Sequence, residues 1–311
     1  MGTGGAAARS GRGPEPAAAM APFCGADGFR SDLWRSEALR DLTPLLPITS
    51  ALAATAARRS LSDWLHILAF GAIGWPWLLK SLSGGTMARR TQLCARLDLP
   101  EDALPHLGSW KADAGFLHLI VDHIQNARPR VVVEFGAGAS TLVAARALML
   151  HGGGRLVSFD QNPDFAAETR SWLKSYGVDA DIRAVPLGPS PGGWPGLWYD
   201  HEPVDRPIDL LLIDGPPWTI HPYVRGAAEA LFDDIAPGGC VMLDDAARPG
   251  ERVVARRWSV RWPDFDFRLR HAGSKGTLVG VRSQKASSGH TFTRRRRAAA
   301  DPRRDGGAAD S

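Results

Sequence analysis

Cysteine is scarce in this chain: Cys24, Cys94 and Cys240 are the only three among 311 residues. They have neither the close spacing of a metal site nor the even count of a disulfide framework, so a reduced, cytoplasmic setting is expected. No uninterrupted apolar run reaches the roughly 20 residues that cross a bilayer. The nearest is Leu61 to Leu82, almost wholly apolar from Trp64 to Leu79 but carrying Pro76, which kinks a helix. It starts too far from the N-terminus for a signal peptide. Its tryptophans and the flanking Arg58, Arg59 and Lys80 suit a helix lying on a membrane surface, so peripheral membrane association is one expectation. Burial against the rest of the chain, or against a partner subunit, is the other.

The basic charge is not spread over the chain. The net charge is +4, and residues 283–311 alone carry seven basic side chains against three aspartates. A basic tail on a chain otherwise near neutrality is no nucleic-acid footprint, and no specific nucleic-acid partner is expected. Four regions follow from composition. Residues 1–58 form an extension rich in Ala, Gly and Pro and expected to be disordered. Residues 59–98 are a hydrophobic helical segment, 99–282 the principal domain, and 283–311 a disordered basic tail.

The informative part of the principal domain is Val131-Val-Val-Glu134-Phe-Gly136-Ala-Gly138-Ala-Ser140-Thr141. Three β-branched residues predict a buried strand, and two glycines one residue apart predict a tight turn. Ser140 or Thr141 is expected to cap the helix that follows. A strand, a glycine turn and a helix N-terminus make a corner that cradles a nucleotide. Gly136 and Gly138 bring no Cβ that would hold a ligand off the backbone. Glu134 can accept hydrogen bonds from a ligand's amine or hydroxyl groups. The third glycine of the dinucleotide fingerprint is missing, because Thr141 stands in its place. Arg155 to Asp160 reads as a second strand, and Asp160 falls near the spacing at which an acid takes the ribose hydroxyls.

The pattern continues. A helix is expected from Asp164 to Tyr176, closed by Gly177, and a short third strand from Asp181 to Leu187. Ile208 to Ile213 is an apolar strand ending in Asp214-Gly-Pro-Pro217; a helix from Val224 to Ile235 then leads to Cys240-Val-Met-Leu-Asp244-Asp245. These runs do not alternate, as expected of parallel strands covered on both faces. A helix spans Glu251 to Trp258. Phe265 to His271 and Thr277 to Arg282 form a closing antiparallel hairpin. A packing helix is expected from Ala114 to Asn126.

Glu-x-Gly-x-Gly-x-Ser resembles the first motif of class I S-adenosylmethionine-dependent methyltransferases. From about Trp110 to Arg282, more than half of the chain, the strand-end motifs are similar in order to the bacterial, O-methyltransferase-like branch of that family. The resemblance implies an α/β fold, a Rossmann-like doubly wound seven-stranded sheet closed by an antiparallel hairpin. It implies S-adenosylmethionine as cofactor, with Glu134, Gly136, Gly138, Ser140 and Asp160 holding it. In metal-dependent catechol-type members a carboxylate after the fourth strand and an Asp-Asn pair after the fifth hold magnesium. Asp214, Asp244 and Asp245 stand at those places, with Asp245 where the family has Asn. The family's catalytic lysine is replaced by Pro217, which leaves the catechol mechanism without its base. Independently of the family, neighbouring parallel strands bring these acids to one edge, where they raise one another's pKa unless a cation intervenes.

Asp214 and His221 are the candidate bases, with Asp244 a third, and Trp194, Trp198, Tyr199 and Trp218 are candidates to wall a pocket. The reading is a methyltransferase acting on a hydroxyl of a small molecule or glycan. The alternatives are a nicotinamide-dependent oxidoreductase on the same fold and a non-catalytic, membrane-associated binding protein.

Overall fold

The structure, a computed structural model, describes Met1 and residues 60–104, 107–108 and 111–284. Apart from Met1, Ser283 and Gln284, the two expected extensions lie outside the described residues, as does Trp110. The chain from residue 60 opens with three helices, α1 (Leu61–Ser81), α2 (Met87–Arg96) and α3 (Ala114–Ala127). Then come β1 (Val131–Phe135), α4 (Ala139–His151), β2 (Arg155–Asp160), α5 (Pro163–Ser175) and β3 (Asp181–Ala184). Two short strands follow, β4 (Leu187–Pro189) and β5 (Leu197–Tyr199), then β6 (Ile208–Ile213) and β7 (Ile235–Leu243). The end is α6 (Pro249–Arg261), β8 (Phe265–Arg270) and β9 (Thr277–Arg282).

Seven strands form one sheet in the order β3-β2-β1-β6-β7-β9-β8. The strands from β3 to β7 run parallel, whereas β9 pairs antiparallel with both β7 and β8. This is the doubly wound sheet with its closing hairpin. The apolar runs are buried on both sides. Val132, Leu210, Leu212, Cys240 and Met242 join one core with α3 and α4. Their strand neighbours Val133, Phe135, Leu211, Ile213, Val241 and Leu243 join the other, with Phe232 and Trp258.

Three expectations change. The third strand stops at Ala184, and Leu187 belongs to β4, which pairs only with β5 in a separate two-stranded ribbon. Pro186 between them has no N–H for a ladder. Residues Val224–Asp234 are a 3₁₀ run rather than an α-helix, with Val224 N–H bonded to His221 O and Gly226 N–H to Tyr223 O. Gly226 packs beneath the Trp194 ring, where a Cβ would lie 2.4 Å from it. The hydrophobic segment is two helices, and Leu93, Cys94 and Leu97 of the second lie fully buried in the core of α3 and α4. The boundary expected at 98/99 therefore does not separate two bodies.

The chain leaves β1 toward β2 and β3, then returns to the other side of β1 with β6. Such a reversal opens a crevice at the carboxyl ends of the two central strands. Register fixes what meets there. Phe135 pairs with Ile213 and Ile213 with Leu243, so Gly136, Asp214 and Asp244 leave the sheet side by side.

Candidate active site

The first corner is built at the ends of β1 and β2. Gly136 has φ +94°, and a Cβ there would lie 2.6 Å from the Gly215 nitrogen. Its missing side chain thus lets the β1 and β6 turns touch, a closer constraint than room for a ligand. Phe135 O accepts the N–H groups of both Asp214 and Gly215, each at 2.8 Å, which holds the two turns together. Gly138 is the open position: the nearest atom to a Cβ there is Phe165 Cζ, 3.8 Å away.

The helix cap differs from expectation. α4 starts at Ala139 with Gly138 as N-cap, so Ser140 and Thr141 lie inside the first turn. Thr141 Oγ1 accepts the Gly138 N–H at 2.9 Å and donates to Glu134 Oε2 at 2.6 Å. Ser158 Oγ donates to the same oxygen at 2.6 Å. Glu134 is fully buried and its Oε1 makes no hydrogen bond. Burial pushes its pKa up to about 7, against the hydroxyls of Ser158, Thr141 and Ser140.

Asp160 is buried, with Oδ2 accepting the Ala137 N–H at 3.2 Å and Oδ1 the Asn162 N–H at 2.8 Å. It clasps the glycine turn from the neighbouring strand. Burial raises its pKa to about 6, and these backbone donors oppose the rise. Tyr199 completes the corner. Its hydroxyl donates to Gln161 Oε1 at 3.0 Å, and a Cβ on Gly215 would lie 2.1 Å from it.

The second corner holds Asp214, Asp244 and Asp245, each offering an oxygen within 4.8 Å of the others. The expected gathering of the three acids is present, with cations the sequence reading did not foresee. Asp245, at φ +59°, is bonded through Oδ2 to Arg225 at 3.0 Å and to Arg248 at 2.9 Å. Lys275 Nζ stands 3.5 Å from its Oδ1. Burial alone would raise the Asp245 pKa, but Arg248, Lys275 and Arg225 hold it well below the usual carboxylate range.

Asp244 is the opposite case. It is fully buried, neither oxygen makes a hydrogen bond, and burial beside Asp245 and Asp214 drives its pKa far up. Asp214 is raised too, mainly by burial, with Arg225 opposing from 3.5 Å. Arg225 also donates to the backbone oxygens of Asp214, Pro216 and Asp244, tying the ends of β6 and β7 together. As a metal donor set the trio is divided. Asp214 Oδ1 and both oxygens of Asp244 accept no hydrogen bond and fit a cation, although Arg225 already stands 3.5 Å from Asp214 Oδ1, whereas Asp245 Oδ2 is already neutralised.

His221 is no surface histidine. It is 2% exposed and packed against α1, with its ring 5.3 Å from His66 and 5.0 Å from Tyr223. Its Nε2 lies 3.9 Å from Asp63, and its Nδ1 accepts the Tyr223 N–H. Of the aromatics, Trp194 and Trp198 are buried in the core, and Trp218 lies beneath Gly71 of α1.

Residues 133–246, which hold the acidic residues of both corners, match the family of methyltransferase domains. That match covers a little over a third of the chain. The chain is also similar to a protein-L-isoaspartate O-methyltransferase of Methanopyrus kandleri, 26% identical over 156 residues, 50% of this chain. It spans 60% of the length of that curated relative. Among solved structures it is similar to the O-methyltransferase TomG of Streptomyces achromogenes, with 19% identity and TM-score 0.41 over 63% of this chain and 89% of that one. An O-methyltransferase of Bacillus cereus gives 17% identity and TM-score 0.43 over 63% and 90%.

Three residues of the charged corner escaped the sequence reading. Arg225 lies in a stretch read as an ordinary helix. Arg248 and Lys275 come from beyond β7. Lys275 is delivered by the hairpin turn, which Asp113 clasps by accepting the N–H groups of Ser274 and Lys275. The one local signal is a lysine enclosed by the small residues of Gly273-Ser-Lys-Gly276.

Proposed function

We propose that this domain is an S-adenosylmethionine-dependent methyltransferase whose acceptor is a hydroxyl of a small molecule or glycan. The observation that carries the donor half is the first corner: the unpartnered Oε1 of Glu134 and the Asp160 carboxylate flank a turn that is open at Gly138. S-adenosylmethionine supplies an electrophilic methyl group, so the protein has to align an acceptor and take its proton. Asp160 retains lone pairs for the ribose hydroxyls. Glu134 Oε1 accepts from a donor N–H or O–H, and the raised pKa lets the carboxyl serve in either protonation state near neutrality.

The acceptor half rests on Asp214. Its carboxylate has a raised pKa and an oxygen that accepts no hydrogen bond, as suits a base that takes a hydroxyl proton. Magnesium, if used, would be held by Asp214 and Asp244, and would lower the pKa of an acceptor hydroxyl. In this reading Asp245 anchors Arg225 and Lys275, and His221 packs against α1 without moving a proton.

Calorimetric titration of the purified protein with S-adenosylmethionine, S-adenosylhomocysteine and NAD tests the donor. Binding of the first two and not the third is expected, and Asp160→Ala should weaken it by about 1–3 kcal/mol. Binding of NAD alone overturns the reading. Transfer of labelled methyl to a panel of hydroxyl compounds, with and without EDTA, tests the acceptor and the metal. Donor binding without turnover on any acceptor would favour a binding protein. Full activity in EDTA would leave Asp214 as a metal-free base.

A further inference from the structure

One face of α1 is docked on the domain and the other is bare. The docked face presents Asp63 and His66 to His221, Phe70 to Tyr223 at 5.1 Å, and Gly71 to Trp218. Ile67 on this face is 7% exposed. On the opposite face Leu61, Leu65, Leu68, Trp75, Leu79 and Leu82 are 51–79% exposed. Their spacing is a strict alternation of four and three, with exposed Ala72 in the remaining place. That is one continuous stripe along a helix of 21 residues, about 30 Å long. An apolar strip of this extent is far beyond scattered surface leucines.

We propose that this stripe seats the protein on an anionic lipid surface, with α1 lying in the plane of the headgroups. The charges around it carry the choice of occupant. Lys80 is the one charged residue among the exposed positions of α1, and Arg58-Arg59 precede the helix in sequence. Lys80 beside the apolar face, and two arginines just ahead of the helix in sequence, complement an anionic bilayer, and Trp75 suits the interfacial layer.

Two other occupants fit less well. A helix–helix seam needs a narrow stripe bordered by charges of both signs that fix pairing. Here the border is Ser62, Ala69, Ile73, Pro76 and Lys80, a single cation with no acid to pair it, so no pattern of opposite charges fixes a partner helix. A span is excluded for α1, because no helix among the described residues is long and apolar enough to cross a membrane. The docked face also keeps its polar contacts on the protein, which leaves only the outer face for lipid.

The test is sedimentation of the full chain with vesicles of equal parts dioleoylphosphatidylglycerol and dioleoylphosphatidylcholine, against vesicles of the latter alone. The wild type should pellet with the anionic vesicles and much less with the neutral ones. Leu65→Glu/Leu68→Glu/Trp75→Glu changes only exposed positions and should lower the bound fraction roughly tenfold or more, with an unchanged circular dichroism melt. Lys80→Glu, a second and milder variant, should weaken binding to anionic vesicles alone. Wild-type protein that stays in the supernatant overturns the proposal. So does a triple variant that pellets like wild type. A concentration-dependent dimer in light scattering, abolished by the triple variant without vesicle binding, would assign the stripe to a second copy of the chain.

Discussion

At the ends of β1 and β2, two buried carboxylates are held by neutral donors; at the ends of β6 and β7, cations pair with Asp245 and Asp214 and leave Asp244 without a side-chain partner. Glu134 and Asp160 take hydroxyl and backbone N–H groups, and each keeps capacity for further bonds. Their pKa values, about 7 and about 6, lie close to physiological pH. Such groups can exchange partners with an incoming ligand at modest cost. Asp245 is instead interlocked with Arg225, Arg248 and Lys275, and that network fixes where Asp214 and Asp244 stand. The first corner is thus suited to binding and release, and the second to holding charge in place.

The sharpest break in this comparison is removal of the central cation. Arg225→Met keeps volume but leaves Asp214 and Asp245 buried beside a neutral chain. A loss of about 3–5 kcal/mol in denaturant unfolding is expected, since a buried charge loses its partner. Thr141→Val in the first corner removes a neutral donor and should cost about 1–3 kcal/mol. Equal losses would mean that the two corners are held in the same way.

The pH dependence sharpens the same contrast. The folded-state pKa of Glu134 is raised from 4.5 to about 7, so the folded protein keeps a proton that the unfolded chain has released. Its stabilising contribution is complete below about pH 4.5 and is lost as pH rises toward 7. A loss on the order of 3 kcal/mol across that window is expected for wild type. Glu134→Gln should lack this component, and parallel stability curves for the two proteins would refute the assignment.

Much of the first corner was legible because its pattern is local. A β-branched run, two glycines and an acid at a fixed distance specify a strand, a turn and a partner strand. The meeting of Asp214 with Asp244 was legible from strand adjacency alone. Arg225 and Lys275 were not, because each reaches the acids through tertiary packing, one from a 3₁₀ run and one from a hairpin turn clasped by Asp113. The burial of His221 was not legible for the same reason: α1, more than 130 residues earlier, packs against it. Gly136 was read as leaving room for a ligand, and its missing Cβ also leaves room within the protein. The atom its Cβ would strike belongs to Gly215 of the other corner.

That contact gives a smaller, discriminating prediction. Gly136→Ala meets both a positive φ and the Gly215 backbone, so it should lower stability by more than the roughly 1–3 kcal/mol of backbone strain alone. Gly138→Ala has φ +151° but no contact nearer than 3.8 Å. It should unfold at higher denaturant than Gly136→Ala while binding the methyl donor more weakly than wild type. The reverse order of stability would place the tight contact at Gly138.

The smallest effect concerns a side chain that reaches both corners. Tyr199 hydrogen-bonds Gln161 after β2 and lies over Gly215 after β6. Burial raises its phenol pKa well above the usual value, so the group is a neutral donor throughout the physiological range. Tyr199→Phe removes one hydrogen bond and leaves the ring packed on Phe135, 5.2 Å between centroids. A loss of about 0.5–1.5 kcal/mol in stability is expected. Because the hydroxyl touches the turn that ends in Asp214, the same variant should alter turnover more than donor affinity if it sets that turn's position. A change confined to donor affinity would assign Tyr199 to the first corner alone.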